Sequence, residues 1–205
     1  MDAIHLQEKA FHAPPSRKIL SEDLDWWSMT ITTGRALRPI TTPLVYIDIA
    51  AYSDASSSIG IGVVIGDKWR AWCLLPKWQT NGGKQDITWA EAIGLKFLIV
   101  AVARTLNFPH HIVVYGDNTS VIDSWKTSRH RNREVNEVFK RIHARIAAPS
   151  FPICSIINHY VTSGNNPADN PSRGVYGDPK LLIPPIPIPQ QLDHLVVDFT
   201  EPLHP

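Results

Sequence analysis

The alternation of apolar and polar positions predicts most of the chain's elements. From residue 44, LVYIDIAAYSDAS is β-rich and ends in small polar residues. GIGVVIG is a short apolar run bounded by glycines, and Gly66-Asp67-Lys68 is a turn signal before WRAWCLL. Three antiparallel strands joined by short connections are expected, followed by a polar loop from Gln79 to Asp86. The stretch 88–106, TWAEAIGLKFLIVAVARTL, is too long for a strand and rich in helix formers, which predicts a largely buried helix. HHIVVYG reads as a strand, and a strand reached by a helical crossover runs parallel to its neighbour. A second helix begins over Asp117 to Lys126. A third spans Glu134 to Ala148, with Val135, Val138, Phe139, Ile142 and Ile146 on one face. ICSIINHYV is the last expected strand. The order β-β-β-α-β-α-α-β implies an α/β domain with a mixed sheet and helices packed on it.

The flanks look different. Residues 1–43 form an arm or connection in which Leu24-Asp25-Trp26-Trp27 opens an amphipathic patch and Pro39 and Pro43 stop regular structure. Adjacent tryptophans predict packing against a partner surface. Beyond the strands, NNPADNPSRG is turn-rich and leads to a short helix at most. Eleven of the 17 prolines fall from Pro149 onward. From 179, Pro184, Pro185, Pro187 and Pro189 favour extended polyproline II and oppose a sheet interior, so a tail lying across a surface or running into a linker is expected. The expected organisation is an arm at 1–43, a domain at 44–178 and a Pro-rich tail at 179–205.

Composition narrows the class. With 205 residues the chain is long enough for a real core, and at 43% hydrophobic it is an ordinary globular sequence. Two cysteines, Cys73 and Cys154, give neither a disulfide framework nor a Cys-based zinc site, which fits an intracellular home, nuclear or cytoplasmic. No apolar run reaches the roughly 20 residues of a membrane span. The net charge of +1 argues against a simple polybasic binder, but it averages an uneven chain. Residues 126–145 carry seven Lys and Arg against Glu134 and Glu137, a local +5, and leave −4 elsewhere.

Four acids fall at the ends of the expected elements: Asp54, Glu91, Asp117 and Asp169. Each has a structural reading. Thr88-Trp89-Ala90-Glu91 is a capping box. Asp117, between a strand and a helix, could be an N-cap. Asp169 could stabilise a turn, and Asp54 could be a turn acid. Together they suggest chemistry, because Asp117 sits at the C-terminal end of a parallel strand, where α/β sheets place ligands. Four converging acids would repel and raise one another's pKa, and hard divalent cations relieve that repulsion. Mg²⁺ uses few carboxylates per ion, so four acids suit two ions. Such a pair, about 4 Å apart, can activate a water and stabilise the leaving oxygen of a phosphodiester.

The segments YSDASSSIGIGVVI, TWAEAIGL, VVYGDNTSVIDSW and NPADNPSRG, in that order, resemble the ribonuclease H fold with its Asp, Glu, Asp, Asp set. The ending Asn-Pro-Ala-Asp-x-Pro-Ser-Arg-Gly and the upstream Asp-Leu-Asp-Trp-Trp resemble ribonuclease H domains that follow reverse transcriptases in DIRS-like or Pao-like retroelements. The resemblance spans about 44–174, with a weaker match over 22–43. It implies a five-stranded mixed sheet in order 3-2-1-4-5 with helices on both faces. It further implies Mg²⁺- or Mn²⁺-dependent cleavage of the RNA strand of an RNA–DNA hybrid, with an upstream reverse transcriptase as a possible partner. Asp54, Glu91, Asp117 and Asp169 inherit the catalytic and metal-ligand roles. Asp48, six residues before Asp54, shares its face on a strand but lies about 20 Å away; Asp54 is the one that precedes the small-residue turn of the motif. Many cellular ribonucleases H carry a histidine in a loop before the last aspartate. Here that loop reads Thr162-Ser163-Gly164-Asn165-Asn166, with Ser163 in roughly that place, and His159 falls inside the last strand.

Substrate contacts follow from the same resemblance. Arg129, Arg131 and Arg133 precede a helix where the family often places a basic protrusion, and phosphate contacts there would make affinity fall with salt. Ser56, Ser57, Asn118 and Thr119 lie beside the expected ligands and could meet the sugar edge, including the 2′-OH, or serve as turn residues. Trp125 suits the core better than stacking on a base. Arg173 could pair with a site carboxylate or meet a phosphate. The main alternative to an active nuclease is a weak or inactive ribonuclease H-like module that binds or tethers nucleic acid. A 3′–5′ exonuclease of the same superfamily is disfavoured by Pro167 and Pro171, which oppose a long last helix.

Overall fold

The computed structural model describes residues 24, 25, 27–29, 31, 32, 43–79, 84–106 and 110–201. The chain divides into two units, 1–43 and 44–205. In the first, the described residues from 24 to 32 are helical and exposed; Trp26, Pro39 and most of the expected arm lie outside the described residues.

The second unit is built on a mixed sheet. Its strands are β1 (Tyr46–Ala55), β2 (Gly60–Ile65), β3 (Lys68–Leu74), β4 (His110–Gly116), β5 (Ile153–Tyr160) and β6 (Val196–Asp198). The helices are α1 (Ile87–Thr105), α2 (Thr119–Thr127), α3 (Arg133–Ile146) and the short α4 (Asp169–Ser172). The sheet order is β5-β4-β1-β2-β3-β6. β1–β2, β2–β3 and β3–β6 are antiparallel, while β1–β4 and β4–β5 are parallel. The expected order 3-2-1-4-5 is present, but the expectation of five strands is corrected: a sixth, three-residue strand pairs Val196, Val197 and Asp198 with Leu74, Cys73 and Trp72.

The long helix α1 explains why the extra strand is there. Every residue from Trp89 to Val102 is buried. A helix that is apolar all round must be covered all round. The sheet covers one side through Ala51, Ile61 and Val63, and α3 covers another through Val135, Val138, Phe139 and Ile142. The C-terminal stretch supplies Ile183, Ile186, Leu192, Leu195 and Val196 to the same core. Residues 183–198 therefore pack into the domain rather than trail from it. The prolines leave the stretch extended, and its apolar side chains still face inward between them.

A buried ion pair fastens this stretch. Arg70 of β3 meets Asp198 of β6 at 2.6 Å (Nη2 to Oδ2) and 2.8 Å (Nε to Oδ2), and its Nη1 donates to the Ile183 carbonyl at 2.6 Å. Asp198 also caps the following turn through Thr200. On the opposite face of the sheet, Val64, Trp69, Ala71 and Ala168 form a second, smaller core with Leu181, Leu182 and Phe199 beside it. Removing Asp198 leaves a guanidinium buried with its carboxylate partner gone. Asp198→Ala should destabilise the domain by about 3–5 kcal/mol in chemical denaturation, and loss of under 1 kcal/mol would show that the tail is not fastened through this pair.

Candidate active site

The site forms where β1, α1 and β4 end on one side of the sheet. Asp54 is the penultimate residue of β1, opposite Gly62 of β2, and is buried. Glu91 lies in the second turn of α1. That helix is capped by Asp86, whose side chain accepts from Trp89 N at 2.9 Å. Thr88 is thus already inside the helix, and the capping-box reading of Glu91 fails: its carboxyl is buried instead of reaching back to a cap. Asp117 follows β4, and the cap of α2 is its neighbour Asn118, which accepts from Val121 N at 3.1 Å. The Asp117 carboxylate is left for other work.

Asp54, Glu91 and Asp117 each offer an oxygen, and those oxygens lie within 4.8 Å of one another. Asp169 stands outside this close group, at the start of α4, where Arg173 holds its carboxylate at 2.7 Å. It is still near enough for its charge to act on Asp54. Burial, and then the charges of Asp117 and Asp169, push Asp54 up to about 6, against a hydrogen bond from Ser172 that pulls it down. Glu91 is pushed well above the usual carboxylate range by burial and then by Asp54 and Asp117.

Three residues that the sequence did not mark as central brace this group. The Ser172 hydroxyl of α4 bonds Asp54 Oδ2 and lies 2.9 Å from the Asp169 carbonyl oxygen. Buried Asn166 donates from Nδ2 to the Ser53 carbonyl at 3.1 Å, and its Oδ1 accepts from Ala168 N at 3.2 Å. Ser163, in the loop where many cellular ribonucleases H carry a histidine, donates to Asp117 Oδ2. α4 reaches the sheet because β2 has Gly62 beneath it; a Cβ there would lie 2.5 Å from the Ala168 oxygen and 2.6 Å from Ser172 N.

The remaining candidates are placed as follows. Ser56 is buried, with its hydroxyl 3.1 Å from that of Ser58, while Ser57 and Thr119 are exposed. Asn118 has spent its side-chain oxygen on the cap and keeps an amide group to donate. Asp48 is occupied elsewhere, accepting from Tyr115 Oη at 2.5 Å and from Ala50 N at 2.9 Å. His159 is exposed on β5, its ring 6.0 Å from that of Tyr115. Trp125 is in the core, stacked on His143 at 4.5 Å.

Arg129, Arg131 and Arg133 are exposed around the loop between α2 and α3. His130 organises that loop. Its Nδ1 accepts from Asn132 N at 2.9 Å, its backbone N–H and carbonyl both pair with the Asn136 amide, and its Nε2 is 3.0 Å from Ser120 Oγ. Asn132 donates to the Lys84 carbonyl at 2.9 Å. The three arginines are thereby anchored both to the start of α2, just after Asp117, and to the segment leading into α1, which carries Glu91.

The chain matches the family model described as reverse transcriptase-like over residues 49–173. It belongs to that family. The reverse transcriptase-like family is ribonuclease H-like. The match runs from within β1 to Arg173 and takes in all four acids. No curated protein matches the chain. Among solved structures it is similar to ribonuclease H1 from the halophilic archaeon Halobacterium salinarum NRC-1, at 15% identity over 64% of this chain and 97% of that one, with a TM-score of 0.48. It is also similar to LC11-RNase H1 in complex with an RNA/DNA hybrid, at 15% identity over 59% of this chain and 91% of that one, with a TM-score of 0.47. Among the described residues no helix is long and apolar enough to cross a membrane.

The raised carboxyls have a consequence for stability without metal. A group whose pKa is higher folded than unfolded favours folding below its unfolded pKa and loses that contribution as pH rises through the folded value. For Asp54 the loss runs from about pH 4 to beyond 6. In EDTA, Asp54→Asn should therefore be more stable than the wild type at pH 8, by roughly 1–3 kcal/mol, and the gap should close towards pH 4. Thermal melts across that range check it; a gap that widens on acidification would contradict the arrangement.

Proposed function

We propose that this chain is a metal-dependent endonuclease that cleaves the RNA strand of RNA–DNA hybrids. The observation that carries the reading is the convergence of Asp54, Glu91 and Asp117 within 4.8 Å, two of them buried, with Asp169 beside them. Acids held this closely, in a site that resists their ionisation, suit hard cations with oxygen ligands. Asp54, Glu91, Asp117 and Asp169 would hold them, as two Mg²⁺ or two Mn²⁺. When bound, such ions supply Lewis acidity, which activates a water and offsets charge on the leaving oxygen.

The chain's own residues do the rest. Ser172 fixes the Asp54 carboxylate and Ser163 that of Asp117, so each presents a defined oxygen. Arg173 holds Asp169. The anchored arginines at 129, 131 and 133 bind backbone phosphates, and Ser57, Thr119 and the Asn118 amide meet the sugar edge, where the 2′-OH distinguishes RNA. In its native setting the domain would follow a reverse transcriptase in a DIRS-like or Pao-like element, a reading that rests on the Asn-Pro-Ala-Asp-x-Pro-Ser-Arg-Gly ending.

Cleavage of a labelled hybrid tests this directly. Wild type should cut the RNA strand with Mg²⁺ or Mn²⁺ and not in EDTA. Asp54→Asn and Asp117→Asn should fall to background, and Ser172→Ala, which frees Asp54 without removing it, should lose about 10–100-fold. No metal-dependent cleavage by a protein that still binds hybrid would leave a nucleic-acid-binding module in place of an enzyme. Binding is measured separately. Replacing all three arginines with Ala should reduce the slope of log affinity against log salt by about 2–3; an unchanged slope rejects their role as a phosphate grip.

A further inference from the structure

A groove of about 280 Å³ lies between α1, α3 and the C-terminal stretch, and none of the four acids lines it. Its walls include Lys96 and Val100 of α1, Arg141 and Arg145 of α3, and Pro189 and Gln191. Lys96 is only 8% exposed. Lysine is almost never that deeply buried without a counter-charge, yet among the described residues Lys96 has no hydrogen bond or ion pair. Its ammonium is not sealed in: among the described residues the enclosed side-chain atoms without a partner are Trp72 Nε1 and Asn158 Oδ1. Lys96 Nζ therefore opens on the groove it lines.

The neighbours make matters worse for the empty protein. Arg141 and Arg145 are one helical turn apart and add two like charges. Burial, and then these two arginines, lower Lys96 to about 8. Glu137, one turn before Arg141 on α3, is already ion-paired to Lys140 at 2.8 Å. Arg145 rests its guanidinium 5.5 Å from the Phe151 ring centroid, a contact that leaves its edge free to donate. Three cations thus line one small concavity, two with planar donor forks, and no acid lines it.

We propose that this groove is an oxyanion site that takes a phosphate group. Guanidinium forks match phosphate oxygens bidentately, and an ammonium adds a point charge. The volume, at the small end for ligand pockets, suits a phosphate with a small substituent. That group could come from inorganic phosphate or a small phosphomonoester, or from the terminal phosphate of a nucleic-acid strand; the recognition chemistry is the same. The site is separate from the arginine loop at 129–133 and does not depend on hybrid cleavage. Its occupation would bridge α1, α3 and the tail.

Titration calorimetry of the full chain with inorganic phosphate tests it, in EDTA so that no metal recruits the anion, at fixed ionic strength and pH 8. The expected result is saturable 1:1 binding, weakened about tenfold or more by Arg141→Gln and by Arg145→Gln. Binding should also take up part of a proton, since a dianion restores the Lys96 ammonium; repeating the titration in buffers of different ionisation enthalpy reads this. Lys96→Met should remove both the binding and the proton uptake, and if that variant fails to fold the two arginine variants still decide. Competition separates the sources: displacement by a 5′-phosphorylated oligonucleotide but not its 5′-hydroxyl twin points to a strand end, and displacement by neither to a small phosphate. Unsaturable heats, binding unchanged in both arginine variants, or binding lost only when Arg129, Arg131 and Arg133 are replaced would overturn the proposal.

Discussion

Three carboxylates each bring an oxygen within 4.8 Å of the others, two of them buried, and holding them there is the constraint the rest of the fold has to meet. Left to themselves these side chains would turn away to solvent. They cannot, because each is mounted on a different rigid element and braced from behind. β1 carries Asp54 into the sheet and Ser172 holds it there. α1 is buried along nearly its whole length, so Glu91 cannot swing out without moving a helix. Asn118, by capping α2, fixes the turn that aims Asp117. Raised pKa values at Asp54 and Glu91 are the trace of burial first and of this forced proximity second, and they mark stored electrostatic energy that a cation would release.

The same logic explains which parts of the structure could be read from the sequence. The first five strands and the three helices that lie among them along the chain are legible from periodicity and glycine punctuation, while the sheet order 3-2-1-4-5 comes with the family resemblance. The sixth strand is not legible because the prolines of 184–189 oppose a sheet interior, while β6 lies past them and is only three residues long. The clue lay in another part of the chain. TWAEAIGLKFLIVAVARTL has no polar face to give to solvent, so something beyond the sheet and one helix had to cover it. The tail is that cover, and Arg70, a buried charge on β3, is its anchor.

At the site, residue type was legible and mutual support was not. The acids announce themselves by position at element ends. Ser172 and Asn166 look like ordinary turn residues, because their importance depends on partners, Asp54 and Ser53, more than a hundred positions away. Local pattern also misled in one place. Thr88 and Glu91 have capping-box spacing, yet Asp86 starts the helix two residues earlier, and that shift turns Glu91 from a surface cap into a buried acid. Asp117 and Asn118 likewise exchange roles: the aspartate that could have capped α2 is spared by the asparagine beside it.

The ion pair between Arg70 and Asp198 joins residues 128 positions apart, and this bears on how the domain comes into being. A ribosome adds about 5–20 residues per second, so β3 exists for several seconds before its edge partner does. Through that interval α1 lacks part of its cover and Arg70 lacks its carboxylate. Contacts this distant in sequence also slow folding, since the loop must close before they contribute. The nascent chain is thus an incomplete domain until residue 198 has emerged, and the four acids lie on a scaffold whose last fastening arrives after the strands and helices that carry them.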